Sequence, residues 1–332
     1  MHGRIGIIYN PPLVQDLNFW QASADVLVQV DAVHEALAKL GQTVIRLPFT
    51  ADLGEFLRCL KESGVTAAFN LCESVDEDPQ RAGHPAAVLE LLSLPFTGSS
   101  AFSLMLTTDK VVSKRLLAAC GINTPAFCIY EGEALRQPIN LRYPVIIKPR
   151  FEDASIGIDQ ESVCVDDAAL GQRLKEFYHR YGPLLIEEFI RGRELNVSLF
   201  GYPEPYVLDP AEIDFSDFPA ELHPIVGYKA KWDPDSFEYH HTPRKFLTHL
   251  PEPLLAEIKA VSLQCFRLFM LRDYARIDIR LDELGTVYAL EVNANPCLSP
   301  DAGFFAALAN NGIEYTAMVE KFLTFLEQRL TR

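Results

Sequence analysis

Two hydrophobic periods alternate along the first hundred residues. Arg4-Ile5-Gly6-Ile7-Ile8-Tyr9 is an apolar run of strand length, whereas Val30, Val33, Leu37 and Leu40 recur at helical spacing as far as Gly41. The pattern then repeats. Thr43 to Leu47 predicts a second strand, Leu53 to Lys61 a helix, Val65 to Leu71 a third strand, and Ala86 to Leu92 another helix. Strands separated by helices predict a βαβαβ unit with a parallel sheet. Its first turn is Asn10-Pro11-Pro12 rather than glycine-rich. Those prolines block the close backbone approach that a pyrophosphate needs, so no NAD is expected there.

A boundary is expected near Gly98-Ser99-Ser100, beyond which Thr107 or Thr108 is placed to cap a helix from Asp109 to Cys120, stopped by Gly121. Pro144 to Lys148, Ser162 to Val165 and Leu184 to Ile190 predict the strands of a smaller α+β unit. From Glu194 onward a longer α+β region carries strands from Ala275 to Leu281 and from Val287 to Val292, closed by a helix from Tyr315 to Leu330. A chain of 332 residues exceeds what one core usually supports, and three domains are expected, at 1–100, 101–190 and 191–332.

The chemistry concentrates in one hairpin. In Arg276-Ile-Asp278-Ile-Arg280, period two sends the three charged side chains to one face and the isoleucines into the core. After the turn at Asp282 to Gly285, Glu291 and Asn293 share a face on the returning strand. Two carboxylates and an amide oxygen are hard donors that suit magnesium, which completes its shell with substrate phosphates. Arg276 would stabilise charge developing beside the metals.

A phosphate-handling site also needs fixed cations. Lys148 ends the buried strand Tyr143-Pro-Val-Ile-Ile-Lys148-Pro149, a costly place for an unpaired ammonium, and Lys110 stands in the first turn of its helix, where the dipole disfavours a cation unless an anion binds. The segment Leu184-Leu-Ile-Glu187-Glu188-Phe189-Ile190-Arg-Gly-Arg-Glu194 ends a strand at a hinge between the two later domains. Backbone groups near Phe189 and Ile190 can read an adenine edge there, and Glu194 can accept from ribose hydroxyls.

Net charge and cysteine usage narrow the partners. A formal charge of -15 repels phosphate backbones and anionic headgroups, so neither nucleic acid nor membrane is an expected partner. No apolar run approaches the length of a span and the N-terminus shows no signal pattern, which predicts a cytoplasmic protein. The seven cysteines form no C-x-x-C pair and are expected to be reduced thiols rather than zinc ligands. His240-His241 has no third soft ligand nearby in sequence and is expected to be exposed on a lid.

Taken together, Pro95-Phe-Thr-Gly-Ser-Ser, Thr108-Asp-Lys110, the Lys148-Pro149 strand, Glu187 to Glu194, Lys229-Ala-Lys231, Arg276-Ile-Asp278 and Glu291-Val-Asn293-Ala-Asn-Pro296 resemble the ATP-grasp superfamily. Within it the chain resembles the D-alanine–D-alanine ligase family over nearly its whole length. The resemblance implies a mixed α/β and α+β architecture, an ATP-grasp fold behind an N-terminal Rossmann-like parallel-sheet domain. It implies ATP between two α+β domains, with Lys110, Lys148 and Lys231 on phosphates, Glu187 at the adenine amino group, Glu188, Phe189 and Ile190 along the hinge, and Glu194 at the ribose. Asp278, Glu291 and Asn293 would hold two magnesium ions, for which manganese can substitute. Arg276 would be catalytic, stabilising the transferring phosphoryl group and the tetrahedral oxyanion of a carboxylate–amine ligation through an acyl phosphate. Gly6 and Tyr9 would begin a loop facing the first substrate. The resemblance also implies amino-acid substrates and a homodimer.

The substrate half departs from the family. The loop after Lys148 reads Glu152-Asp153-Ala154-Ser155 and lacks the serine hydroxyl, Trp232 replaces the lid tyrosine, and Asn10-Pro11-Pro12 replaces the N-terminal glutamate motif. The family's His-Gly segment reads Phe69-Asn70-Leu71-Cys72-Glu73, a glycine becomes Cys297, and the serine for the second substrate's carboxylate falls near Ala302. Intact nucleotide ligands beside altered substrate ligands predict a changed substrate. Asn70, Glu73, Arg150, Arg280, Asp301 and Gly303 are the candidates for the rebuilt pocket, although Asp301 could instead cap the helix from Gly303. Two other classes share the nucleotide half, an ATP-grasp small-molecule kinase and a non-catalytic nucleotide-binding regulator.

Overall fold

The computed structural model describes residues 3–12, 19–133, 139–247 and 250–330. The apolar run at the start forms β1 (Arg4–Tyr9), followed by α1 (Trp20–Lys39), β2 (Thr43–Pro48), α2 (Leu53–Ser63) and β3 (Ala67–Asn70). β1 lies between β2 and β3 and parallel to both, with Ile5 opposite Val44 and Ala67, as the alternation of strand and helix predicts. Ile5, Ile7 and Ile8 are fully buried, and α1 turns Val26, Val30, Val33 and Leu37 inward. Each such aliphatic side chain contributes about 2 kcal/mol by leaving water. Gly6 sits in mid-strand, not in a loop. A Cβ there would come 3.0 Å from Val65 Cγ1, so close packing is what requires glycine at that position.

Two helices, α3 (His84–Leu91) and α4 (Ala101–Thr108), lead to α5 (Lys110–Ala119). The expected cap shifts by one residue. Thr107 and Thr108 end α4, while Asp109 breaks the helix and accepts hydrogen bonds from the N–H groups of Val111 and Val112 at 3.0 and 3.3 Å. A second sheet contains β4 (Phe127–Tyr130), β5 (Val145–Pro149), β6 (Val163–Cys164) and β7 (Leu184–Glu188) in the order β4-β7-β5-β6, with α6 (Asp167–Tyr181) packed on it through Leu170, Leu174 and Phe177.

The third sheet begins with β8 (Arg193–Gly201), β9 (Tyr206–Val207) and β10 (Ala211–Ile213). After α7 (Tyr228–Trp232) and α8 (Phe237–His240) come β11 (Arg244–Phe246), α9 (Glu252–Leu268), β12 (Asp273–Leu281) and β13 (Val287–Asn293). The order is β11-β10-β8-β12-β13, with β9 on β8. Ala275, Ile277 and Ile279 face a core shared with Ile258, Cys265 and Phe266 of α9, which leaves Arg276, Asp278 and Arg280 on the opposite face. α10 (Gly303–Asn310) and α11 (Tyr315–Leu330) close the chain, and Phe304 and Phe322 join β1 and α1 in one apolar cluster. Among the described residues no helix is long and apolar enough to cross a membrane.

One buried charge bolts the first sheet to the third. Asp273 is fully buried with φ of 64°, and its carboxylate accepts from the Gly98 N–H at 2.8 Å and from Arg329 of α11. Arg272 adds a bond to the Gly98 carbonyl at 2.8 Å. The Pro95 to Ser100 segment therefore acts as a fastening for the strand that carries the chemistry. Asp273→Ala would leave half-buried Arg329 without its carboxylate and the buried Gly98 N–H without its acceptor, and is expected to cost about 3 kcal/mol, read by chemical denaturation; a loss below about 1 kcal/mol would contradict this role.

Candidate active site

The hairpin of β12 and β13 sets Arg276 opposite Asn293 and Asp278 opposite Glu291. Directly opposed residues share a face, so all four side chains converge there. Arg276 clasps Asp278 with two bonds of 2.7 and 2.9 Å, and Asn196 of β8 donates to the same carboxylate at 2.9 Å. Glu291 lies 3.1 Å from Lys110 Nζ. Partial burial pushes the Glu291 carboxyl up, but Lys110 and Lys148 outweigh it and hold the pKa down at about 2. Burial likewise opposes the charge on Lys110, yet Glu291 and Asp153 raise it above the ordinary lysine range. Lys110 also donates to the Glu152 carbonyl at 2.6 Å, which ties α5 to the loop after β5.

Behind this pair lies a second charge cluster. Glu187 is 1% exposed and takes Lys148 on one oxygen and Lys114 on the other, the latter at 2.6 Å. Burial alone would raise the Glu187 carboxyl, but the two lysines bring it below its usual value. For Lys114 burial dominates and the pKa falls, even though Glu187 supports its charge. Of the two ammonium groups only Lys148 is partly exposed, so it is the one a ligand could reach. Glu188 projects the other way and pairs with Arg142 at 2.7 Å.

At the hinge, Arg280 donates to the Ile190 carbonyl at 2.9 Å, to Glu194 at 2.7 Å and to the Pro224 carbonyl, with its guanidinium 4.7 Å from the centre of the Phe189 ring. The Phe189 N–H donates to the Pro144 carbonyl. Arg280 thus organises Phe189, Ile190 and Glu194 from beneath. Arg150 is similarly engaged, gripping the Asp109 cap at 2.6 and 2.8 Å. Lys231, at the end of α7, is half-buried; desolvation first, then Arg276, lowers its pKa.

The first sheet supplies the far wall. Asn70 is buried at the end of β3 and its side chain accepts from the Cys72 N–H at 3.4 Å. Glu73 accepts from Gln29 Nε2 at 2.9 Å, and Gln29 in turn accepts from the Leu298 N–H at 2.9 Å. Asp25 accepts from Cys297 Sγ at 3.0 Å and Ser299 Oγ at 3.2 Å. Asp301 is exposed and does not cap α10, whose N-cap is Ala302, immediately before Gly303.

The lid segment docks on the loop that replaces the family's serine. Trp232 Nε1 donates to the Ala154 carbonyl at 2.9 Å, and Ser155 Oγ donates to the Val226 carbonyl at 2.7 Å. Ala154 and Ser155 adopt φ of 54° and 61°, which turns the loop sharply toward the lid. His240 and His241 bond to the carbonyls of Pro234 and Phe237. A separate apolar cavity of about 380 Å³, lined by Phe49, Leu53, Val75, Val88 and Leu91, lies in the first α/β unit away from these groups.

Lys114, Asn196, Asp25 and Gln29 were not among the residues singled out from sequence. Signals existed for some of them. Lys114 lies one turn beyond Lys110, Asn196 shares the face of Glu194 two residues on, and Gln29 interrupts the apolar stripe of α1.

Residues 116–324 match the family model for the D-ala D-ala ligase C-terminus. An uncharacterized protein, y4sG, of Sinorhizobium fredii is 33% identical over 262 residues, covering 79% of this chain and 74% of that protein. A D-alanine–D-alanine ligase of Carboxydothermus hydrogenoformans is 30% identical over 302 residues, 88% of this chain and 90% of its own. Among solved structures, the D-alanine–D-alanine ligase from Bacillus anthracis complexed with ATP superposes with a TM-score of 0.76 at 20% identity, covering 98% of this chain and 99% of that one. The VanG D-Ala:D-Ser ligase from Enterococcus faecalis gives 0.72 at 17% identity, covering 98% and 100%. The fold is that of the ATP-grasp ligases. The chain belongs to the D-alanine–D-alanine ligase family.

Glu73 offers a pH test of the far wall. Burial pushes its carboxyl to about 7, against the opposing pull of Gln29, from an ordinary 4.5. As pH rises through this window the unfolded chain ionises first, so Glu73 destabilises the fold progressively and fully only above about 7. Glu73→Gln is expected to raise Tm at pH 8 by about 3 °C while changing it little at pH 4.5. Equal shifts at both pH values would contradict the assignment.

Proposed function

We propose that this chain, an ATP-dependent carboxylate–amine ligase by family, joins an amino acid or small carboxylate to the amine of a second amino acid other than D-alanine. The observation that carries this reading is the paired hairpin, in which Arg276–Asp278 and Lys110–Glu291 stand side by side with Lys148 behind them. Such a face holds a polyphosphate only if cations outnumber the carboxylates or a divalent ion joins them. In this reading three domains at 1–100, 101–190 and 191–332 enclose the crevice, ATP lies between the second and third, and Lys110, Lys148 and Lys231 contact its phosphates. The Glu188 to Ile190 backbone and Glu194 take the adenine and ribose, while Glu187 holds the two lysines in place.

Magnesium fits the donors present. Among the described residues no three His, Cys, Asp or Glu side chains form an all-protein cage. The two carboxylates of Asp278 and Glu291 with the Asn293 oxygen are the sparse set that magnesium takes when phosphates supply the remaining ligands. When bound, the metal neutralises charge on the bridging phosphate oxygens. Lys110 and Lys148 hold Glu291 ionised for that purpose, and the two bonds from Arg276 fix the position of Asp278.

In the first step a carboxylate oxygen of the donor attacks the γ-phosphorus, the bond to the β,γ-bridging oxygen breaks, and ADP leaves. The amine then attacks the acyl carbon, inorganic phosphate departs, and the ammonium formed loses its proton. Arg276 reaches the face where both the transferring phosphoryl group and the tetrahedral oxyanion develop charge, so it stabilises both. The Trp232–Ala154 contact supports a lid that excludes water from the acyl phosphate.

Screening amino acids pairwise for ATP-dependent phosphate release tests the reading, with amide product quantified alongside. Arg276→Ala is expected to lower kcat by roughly 10²- to 10³-fold. Chelation with EDTA should abolish turnover and magnesium restore it. D-alanine as both substrates is expected to turn over about tenfold or more below the preferred pair. Phosphate release with a stable phosphorylated product and no amide would mean a kinase, and ordinary rates with D-alanine alone would overturn the altered specificity.

A further inference from the structure

Arg244 is a cation that none of the roles above uses. It stands on β11 opposite Ile213 of β10, which is opposite Glu194 of β8, which is opposite Arg280 of β12. Opposed residues in antiparallel strands share a face, so Arg244 lies on the same face as Arg276 and Asp278. Its side chain reaches the 301–303 turn at the start of α10. A Cβ on Gly303 would lie 3.1 Å from Nη2 and 3.4 Å from Cζ and Nε, so a larger residue there would crowd the guanidinium where it rests against that backbone.

The guanidinium is poorly satisfied there. Nε is buried and has no hydrogen-bond partner, the residue is half-buried, and Arg276 repels it while only the exposed Asp301 attracts it. A buried donor without a partner costs free energy unless a ligand supplies the acceptor. The phosphate end already has Lys110, Lys148, Lys231 and Arg276. Arg244 instead sits on the edge strand β11, against Gly303 at the start of α10, and once the donor's carboxylate reacts at the hairpin the carboxylate left to bind is the acceptor's own. A planar two-pronged donor matches a carboxylate in a way that a single hydroxyl does not.

We propose that Arg244 binds the α-carboxylate of the amine-supplying amino acid, and that Gly303 keeps the space this requires. The assignment rests on the ligase reading above. It makes the acceptor a free amino acid rather than an amine or an amino-acid amide.

Wild type and Arg244→Gln are compared on the amino-acid panel, each acceptor offered as free acid and as C-terminal amide, with KM for ATP measured in parallel. Wild type should prefer the acid in KM by about 10- to 100-fold, the factor that a charged hydrogen bond supplies. Arg244→Gln should bring the two forms together, with KM for ATP unchanged and kcat on the amide retained. Arg244→Lys, which keeps the charge without the fork, should fall between them and serves as the readout if the glutamine variant fails to fold. An acid preference that survives in the variants, or a rise in KM for ATP instead, would overturn the assignment and leave the ligase intact. No phosphate release by wild type with any acceptor in either form would overturn the ligase reading, and this assignment with it.

Discussion

Glu187 is the charge around which the lysines behind the β12–β13 hairpin are organised. Two ammonium groups, Lys114 and Lys148, meet on one carboxylate that is almost wholly excluded from water. Burial lowers the Lys114 pKa even with Glu187 beside it, and removing the carboxylate would leave Lys114 buried without its anion and Lys148 without its partner. With Glu187 in place, β5 and β7 deliver Lys148 to the crevice at a fixed height. The β12–β13 hairpin follows the same rule, since Arg276 steadies Asp278 and Lys110 steadies Glu291. The site is therefore assembled and charged before any triphosphate arrives, as electrostatic stabilisation requires.

The wall contributed by the first sheet differs in kind. Asp25 and Glu73 are acids whose hydrogen bonds come from neutral groups, Gln29, Cys297 and Ser299, and burial raises both carboxyl groups. Trp232, bonded to the Ala154 carbonyl, fastens α7 to the loop after β5. The acids of this wall and the charge pairs of the β12–β13 hairpin thus follow separate constraints.

Much of this was legible in sequence because it is local. The βαβαβ unit, the C-terminal helix and the shared face of Arg276, Asp278, Glu291 and Asn293 all follow from periods of 3.6 and two. The cap of α5 was displaced by one residue because Thr107 and Thr108 belong to α4, a helix that abuts the next with only Asp109 between them. What the sequence could not convey were pairings between residues far apart in the chain. Arg150 gripping Asp109, Lys148 meeting Glu187, and Arg280 threading Glu194 to Pro224 depend on which strands lie side by side. Arg244 was invisible for the same reason, since its place on the active face passes through β10 and β8.

The account stands or falls on phosphoryl transfer to a substrate carboxylate at this hairpin. The direct measurement uses a donor amino acid labelled with ¹⁸O in its carboxylate and follows the label during turnover. An acyl phosphate formed beside Arg276, Asp278 and Glu291 predicts one labelled oxygen in each inorganic phosphate released. Unlabelled phosphate accompanying amide product would contradict it.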